Sequence, residues 1–552
     1  MPRWARPQPL DEIQTQVGDN SFVGLDMKTP DPAQMAPGTY REGYNCRIEN
    51  GDLGSRKGSI YPGSYNYVQY NRIWGGGLFS DPNGGEWLAI AVAGGVWFTK
   101  DGESPNFVPI PNQTIDYEVE LVQAFNQLFM YRGPDHTPLV WNGDWAVFWT
   151  EFPAPTGGRE STPNAVTAEY YGNRLFVPYN RDQVAVSDIA DYTEYDWILD
   201  NFQVNTGQAD ELVRIFPWSK STLIIFKNHS IFPITNVYGD LSETILDQLS
   251  SNIGLVGRKA AIQVGNDIYF MDYSGVYTIS QVFETSQRVQ SLPLSDSIKP
   301  VIDAINWNYA AGIRANTRRE RVYFAVPLKN AVRNNVLIVY NLVTNSWESI
   351  DTFADSNFRI DDLVRAPYNG ERRLFAIDRY KGLIILLEQG KTDILGIDYT
   401  HEYQVEFDVM SRGYLGPGQR SNFRRVEIDT SSWNPNLTVN AYVDGTNAKS
   451  LISNLTPNRA KYQIWGKTDW VTDNTNDDHA TAYRQDYSVQ LPLMLGNNGV
   501  QIEREQEVSQ RYQVNMFGRY CQLRMTNTSG AVNLRTIVFE GFEDQRQERS
   551  QI

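Results

Sequence analysis

Short runs of β-branched and aromatic residues, cut by Gly, Asn and Asp, recur along most of the chain. The clearest stretch covers residues 260–280. An apolar run ending at Val264 meets a turn at Gly265, Asn266 and Asp267, and a second run covers Ile268, Tyr269, Phe270 and Met271. A further turn over 272–275 leads into Val276, Tyr277, Thr278 and Ile279. Runs this short, bounded by turn formers, are strands of a meander and not helix. The middle run recurs at 87–90, 128–130, 174–177, 223–226, 268–270, 322–324 and 373–376. Successive copies are about 41–54 residues apart, the spacing of propeller blades. The pattern predicts an all-β protein with a β-propeller of six or seven blades over residues 41–396.

The flanks follow other patterns. Residues 1–40 are polar and carry several prolines, which predicts an extended N-terminal arm, with 30–37 lying extended on the propeller or on a neighbour. Two short strands around Asn50-Gly51 read as a hairpin. Residues 292–305 break the strand rhythm. They predict a helical insertion, with Asp296 or Ser297 as its cap and Pro300 near its start. Val339 to Trp347 reads as a strand, an Asn-rich turn and a Trp packed between blades. After Gly390 the repeat stops. Alternation over 402–409, 423–429 and 437–443, an Asp444-Gly445 turn and three later strands predict a β-sandwich-like domain over 397–544. A polar tail covers 545–552.

Composition narrows the function. The formal net charge of −16 argues against holding nucleic acid through released counterions. It is compatible with a surface past which DNA slides. The 31 Tyr and 14 Trp suit broad, wet contacts with other chains. No apolar stretch approaches the roughly 20 residues that cross a bilayer, and residues 1–6 contain no signal-like apolar core, so no membrane anchor is expected.

Candidate chemistry is sparse. Cys46 and Cys521 are far apart and form no disulfide framework. His136, His229, His401 and His479 are scattered and predict no metal centre; His229 sits in a turn and should face solvent. Asp473, Asp477 and Asp478, with Asn474 and Asn476, are the densest acidic patch. They lack the glycine and terminal glutamate of a calcium loop and read as a solvated loop. Thr99, Lys100, Asp101 and Gly102 begin a sialidase-like box that no Trp completes. No nucleophile elbow, phosphate loop or zinc-protease motif occurs. The expectation is no catalysis and no cofactor.

One ordered set of segments adds to this. Gly24-Leu25-Asp26, then Asp31-Pro32-Ala33-Gln34-Met35 with Pro37-Gly38, then Asn45-Cys46-Arg47 with Asn50-Gly51, Leu53 and Arg56-Lys57-Gly58 resemble the N-terminus of nozzle or hub proteins of short-tailed bacteriophages. These are also described as tail tubular protein B or packaged-DNA stabilisation proteins. The likeness continues through 125–130, 138–143, 171–177, 210–215, 223–230, Ile253-Gly254 and 264–267. It implies a structural virion protein of the tail, assembled in the host cytoplasm. It further implies a homo-oligomer, a hexameric ring below the portal. The implied partners are a head–tail adaptor ring, tail fibres or spikes, a tail needle or plug, and double-stranded DNA conducted without sequence recognition during ejection. The resemblance assigns no residues to the DNA channel. Six subunits would carry about −96 (six times −16), and an acidic lumen would keep DNA centred. The alternative is a glycan-binding or glycan-hydrolysing propeller that acts as a receptor-binding protein.

Overall fold

The computed structural model describes residues 14–65, 71–155, 159–239, 241–285, 292–355, 358–390, 392–395, 401–415, 420–432, 437–445, 447–452, 493–495, 500–502, 508–528 and 532–543. The acidic patch at 473–478, His479 and the tail at 545–552 lie outside them. The chain divides into two units. One combines Met1–Lys57, Ser346–Asp351 and Gln404–Ile552; the other combines Gly58–Asn345 and Thr352–Tyr403.

The second unit is a seven-bladed β-propeller. Each of the seven middle runs is the second strand of an antiparallel meander: Glu86–Val92, Gln127–Tyr131, Arg174–Tyr179, Thr222–Lys227, Asp267–Asp272, Arg321–Val326 and Glu371–Asp378. These strands read as continuous apolar runs because both of their faces are covered. Leu223, Ile224, Ile225 and Phe226, for example, are all fully buried. Apolar clusters join adjacent blades. Trp87, Phe98, Leu128 and Trp141 pack the first against the second, and Phe129, Tyr131, Leu175 and Val177 the second against the third. Leu88 and Ile90 meet Phe375 and Ile384, which closes the ring between the first blade and the seventh. The entering chain adds a latch. Ile60 exchanges backbone hydrogen bonds of 3.0 and 2.9 Å with Leu386, and the Ser59 hydroxyl donates to Asp393 at 2.9 Å.

The helical insertion lies between the fifth and sixth blades, where the repeat is longest. It comprises Ile279–Thr285, Leu294–Ile298, Lys299–Asp303 and Trp307–Gly312. Neither Asp296 nor Ser297 caps it. Both lie inside a 3-10 turn entered from Pro293 without a side-chain cap, while Pro300 sits in the first turn of the next helix as expected. Ile279 begins a helix and does not extend the preceding strand.

The other unit is a β-sandwich. One sheet contains Cys46–Glu49, Asp52–Ser55, Asn533–Glu543, Ser421–Ser432 and Val508–Gly518, with Gln14–Asp19 added along Asn533–Glu543. The other runs from Ser346–Thr352 through Thr39–Tyr44, Phe407–Ser411 and Tyr520–Asn527 to Leu437–Val443 and Asn447–Ile452. The inner faces meet where Tyr414 lies 4.9 Å from Phe539, ring centre to ring centre. Alternating burial along Leu437–Val443 gives the face pattern of a half-covered strand. The Asn50-Gly51 turn takes positive φ at both positions, 55° and 87°, as its hairpin requires.

Three boundaries move. Residues 39–57 belong with the sandwich and not the propeller, because Thr39–Tyr44 and Asp52–Ser55 pair with C-terminal strands. The described part of the expected arm is integral to the sandwich, where Gln14–Asp19 and Gly24–Leu25 pair with other strands. Within it, Pro32–Gln34 forms a 3-10 turn capped by Asp31, and Pro32 accepts a 2.8 Å hydrogen bond from Gly413. Trp347 is buried as expected, but its strand falls in the sandwich unit. The expected end of the propeller at 396 moves to Tyr403, and the alternation at 402–409 is split into His401–Gln404 and Phe407–Ser411.

Candidate functional site

The motif residues of the N-terminal region build a buried polar lock. Arg47 donates to both carboxylate oxygens of Asp351, at 2.9 and 2.5 Å, and lies 3.7 Å from Glu348. Tyr40 and Cys46 donate to the Glu348 carbonyl at 2.6 and 3.0 Å. Arg56 donates to the Asn45 side chain at 2.9 Å, and Asn45 donates to the Glu406 carbonyl at 2.7 Å. Burial pushes the Asp351 carboxyl up, but Arg47 outweighs it and the net shift is downward. Burial raises the Cys46 thiol to about 12, so it is no nucleophile. Cys521 is also buried and free. A second lock joins the N-terminal strand to the C-terminal half. Arg412 donates two 2.9 Å bonds to Asp19, which also accepts from Tyr414 at 2.9 Å and from the Gly38 amide at 3.0 Å.

In the propeller, charged residues of successive blades converge, all but Arg379 at or near the first strand of their blade. Glu118 and Glu120 come from the second blade, Glu169 from the third and Arg214 from the fourth. Arg258 and Lys259 precede the fifth, Arg314 opens the sixth, and Asp362 and Arg379 come from the seventh. Arg314 and Arg379 each approach Glu118 at 3.0 Å, with Arg258 at 3.6 Å. Lys259 meets Asp362 at 2.6 Å. Arg214 is bound directly to Glu120 and lies 3.8 Å from Glu169. Arg379 reaches the first blade by donating to the Ile73 and Trp74 carbonyls, at 3.2 and 3.0 Å. All seven blades are therefore tied to one hub.

The hub's electrostatics are those of a structural network. Burial pushes Glu118 up, but four surrounding cations outweigh it and hold the carboxyl at about 2. Glu120 is held low in the same way, chiefly by Arg214 against burial. Glu169 is the exception. Burial lifts it to about 7, opposed by Arg214 and reinforced by Glu120, since two carboxylates compete for one guanidinium. A carboxyl near neutrality suits acid–base work. Here its identified charged neighbours are an arginine and a second carboxylate that the same arginine binds.

The residues singled out in the sequence lie elsewhere. His229 is exposed in the turn between two strands of the fourth blade, and its amide donates to Asp210 at 2.9 Å. His136 stacks on Tyr117 at 4.2 Å. Asp101 accepts the Asn369 amide at 3.1 Å and so ties the first blade to the seventh. Among the described residues no cluster of His, Cys, Asp or Glu is suited to a metal ion, and no helix is long and apolar enough to cross a membrane. Sequence patterns do not reveal the hub, because the second to seventh blades contribute only one or two charges each and the first contributes backbone carbonyls. The available signal is a charged residue near the start of the second to seventh meanders.

The chain matches no protein-family model, and no curated protein compared with it is similar. Among solved structures it is similar to the extracellular domain of the hybrid two-component system BT3049 of B. thetaiotaomicron, with TM-score 0.40 and 12% identity over 58% of this chain and 40% of that one. It is also similar to a streptogramin B lyase, with TM-score 0.38 and 14% identity over 58% of this chain and 96% of that one. A third is the extracellular domain of the one-component system BT4673 of B. thetaiotaomicron, with TM-score 0.39 and 12% identity over 76% and 57%.

Proposed function

We propose that this chain is a non-catalytic structural subunit of a short bacteriophage tail, forming a ring below the portal that retains DNA and then conducts it during ejection. The observation that carries the reading is the ordered N-terminal set from Gly24 to Gly58 together with what those residues do. Asn45, Cys46, Arg47 and Arg56 hold the sandwich together through buried hydrogen bonds. A set that specifies a scaffold, not a pocket, suits a protein whose work is assembly. The sugar-cleaving alternative needs a central carboxylate free to act. Among the described hub carboxylates, Glu118, Glu120 and Asp362 each face at least one cation within hydrogen-bonding or ion-pairing distance.

The partners of this reading are further copies of the chain, an adaptor ring above, fibres or spikes at the side, a plug below and the DNA duplex within. Closed cyclic symmetry is the economical way to make such a ring. We expect acidic side chains to outnumber basic ones along its lumen, since a basic wall would grip DNA through released counterions. Mass photometry and electron microscopy of the purified protein test the reading. The expected particle is a ring of about 377 kDa, six times 62.9 kDa. A protein that stays monomeric at every concentration, alone and with tail components, contradicts it.

A further inference from the structure

The propeller carries an open groove of about 750 Å³ at the second, third and fourth blades, within the roughly 300–1,000 Å³ usual for small-molecule sites. Tyr179 and Trp197 supply its aromatic surface, with ring centres 5.9 Å apart and planes inclined by 31°. Trp197 is 41% exposed, so its ring is available to a ligand. The Tyr179 ring and the Trp197 backbone are held before any ligand arrives. The Asn201 side-chain amide donates to the Tyr179 hydroxyl at 2.9 Å and to the Trp197 carbonyl at 3.2 Å. The turn that carries Trp197 is held by Asp196, which accepts the Ile198 and Leu199 amides at 3.0 and 2.9 Å and pairs with Arg159 at 2.9 Å. Pro134, Pro163 and Pro178 stiffen the walls.

The polar lining decides what fits. Asn164, Asn180, Arg181 and Glu211 are exposed there. Asn164 offers donors and an acceptor, Asn180 keeps its acceptor and one N–H while donating the other to Gln183 at 2.9 Å, and the single cation and single carboxylate balance. A phosphate or polyanion would need a cationic excess, and a purely apolar ligand would waste the amides. We infer that this groove binds a neutral oligosaccharide, one sugar face stacking on Trp197 and Tyr179 and its hydroxyls meeting the amides, Arg181 and Glu211. The inference stands apart from the tail reading, because a free propeller with this groove would bind the same class of ligand.

Saturation-transfer difference NMR on the full chain, with maltotriose, cellotriose and chitotriose as probes, tests this. An open, preformed groove should give a Kd on the order of 1 mM for at least one of them. Trp197→Ala should weaken that binding at least tenfold, and Trp197→Phe should restore part of it. Phe107→Ala, on the first blade, should leave it unchanged. Equal thermal unfolding of the Trp197 variants and the parent excludes a folding defect, as the exposure of the ring leads us to expect. No transfer to any of the three sugars overturns the inference, as does binding that survives Trp197→Ala. So does displacement of the sugar from an unaltered groove by a polyproline peptide at lower concentration, which would make it a peptide groove.

Discussion

The two units solve the same problem, burying strand faces, in opposite ways. In the propeller the strands of each blade follow one another along the chain in antiparallel order, and apolar side-chain clusters join adjacent blades. In the sandwich the first described strand, Gln14–Asp19, runs antiparallel to the last, Asn533–Glu543. The bond between Asp19 and Arg412 joins residues 393 positions apart. Local pairing recovers loop-closure entropy at once, whereas the sandwich must close very long loops before any contact rewards it. The sandwich therefore completes only when both ends of the chain are available, and its buried ion pairs hold together segments that have no local reason to meet.

This difference can be broken from either side. The largest effect should come from Arg412→Ala, which leaves the buried Asp19 carboxylate without its cation. Removing one partner of a buried pair costs about 3–5 kcal/mol. Denaturant unfolding should show a separate early transition for the sandwich. A single unshifted transition would mean the lock carries little. In the propeller, Glu118→Gln removes the carboxylate shared by Arg258, Arg314 and Arg379. It should lower the propeller transition by on the order of 2–3 kcal/mol, less than the first change because the clusters between blades remain. Calorimetry that finds the propeller transition unmoved would assign its closure to those apolar clusters alone.

What was legible in the sequence follows the same division. The seven middle strands were readable because turn and strand lie within one short window, as at 260–280. The Asn50-Gly51 hairpin was readable for the same reason. Alternation at Leu437–Val443 identified a strand but could not name Tyr520–Asn527 as its neighbour, because period two fixes a face and not a partner. Trp347 looked like a blade residue because its local pattern is that of one, while the parallel pairing of Ile350 with Tyr44 draws its strand into the sandwich. The hub was invisible for a third reason. Its members are single charges, ordinary in isolation, and only closure of the ring brings Glu118 to Arg314.

The smallest effect sharpens the electrostatic side. Glu169 is lifted to about 7 in the folded protein, above its unfolded value near 4.3. Its contribution is therefore fully present below the unfolded value and is lost as pH rises through about 7. The propeller transition should fall between pH 5 and 8, and Glu169→Gln should flatten that slope. A slope unchanged in the variant would place the titration in another group.

Hydrogen exchange on the Arg412→Ala variant of the full chain bears most directly on the claim that a locally built propeller and an end-to-end sandwich share one chain. The account predicts lost protection in Gln14–Asp19, Tyr520–Asn527 and Asn533–Glu543, all strands of the sandwich. The strands Gln127–Tyr131, Thr222–Lys227 and Asp267–Asp272 should exchange as slowly as in the parent protein. Equal loss of protection in both sets would show one cooperative fold and contradict it.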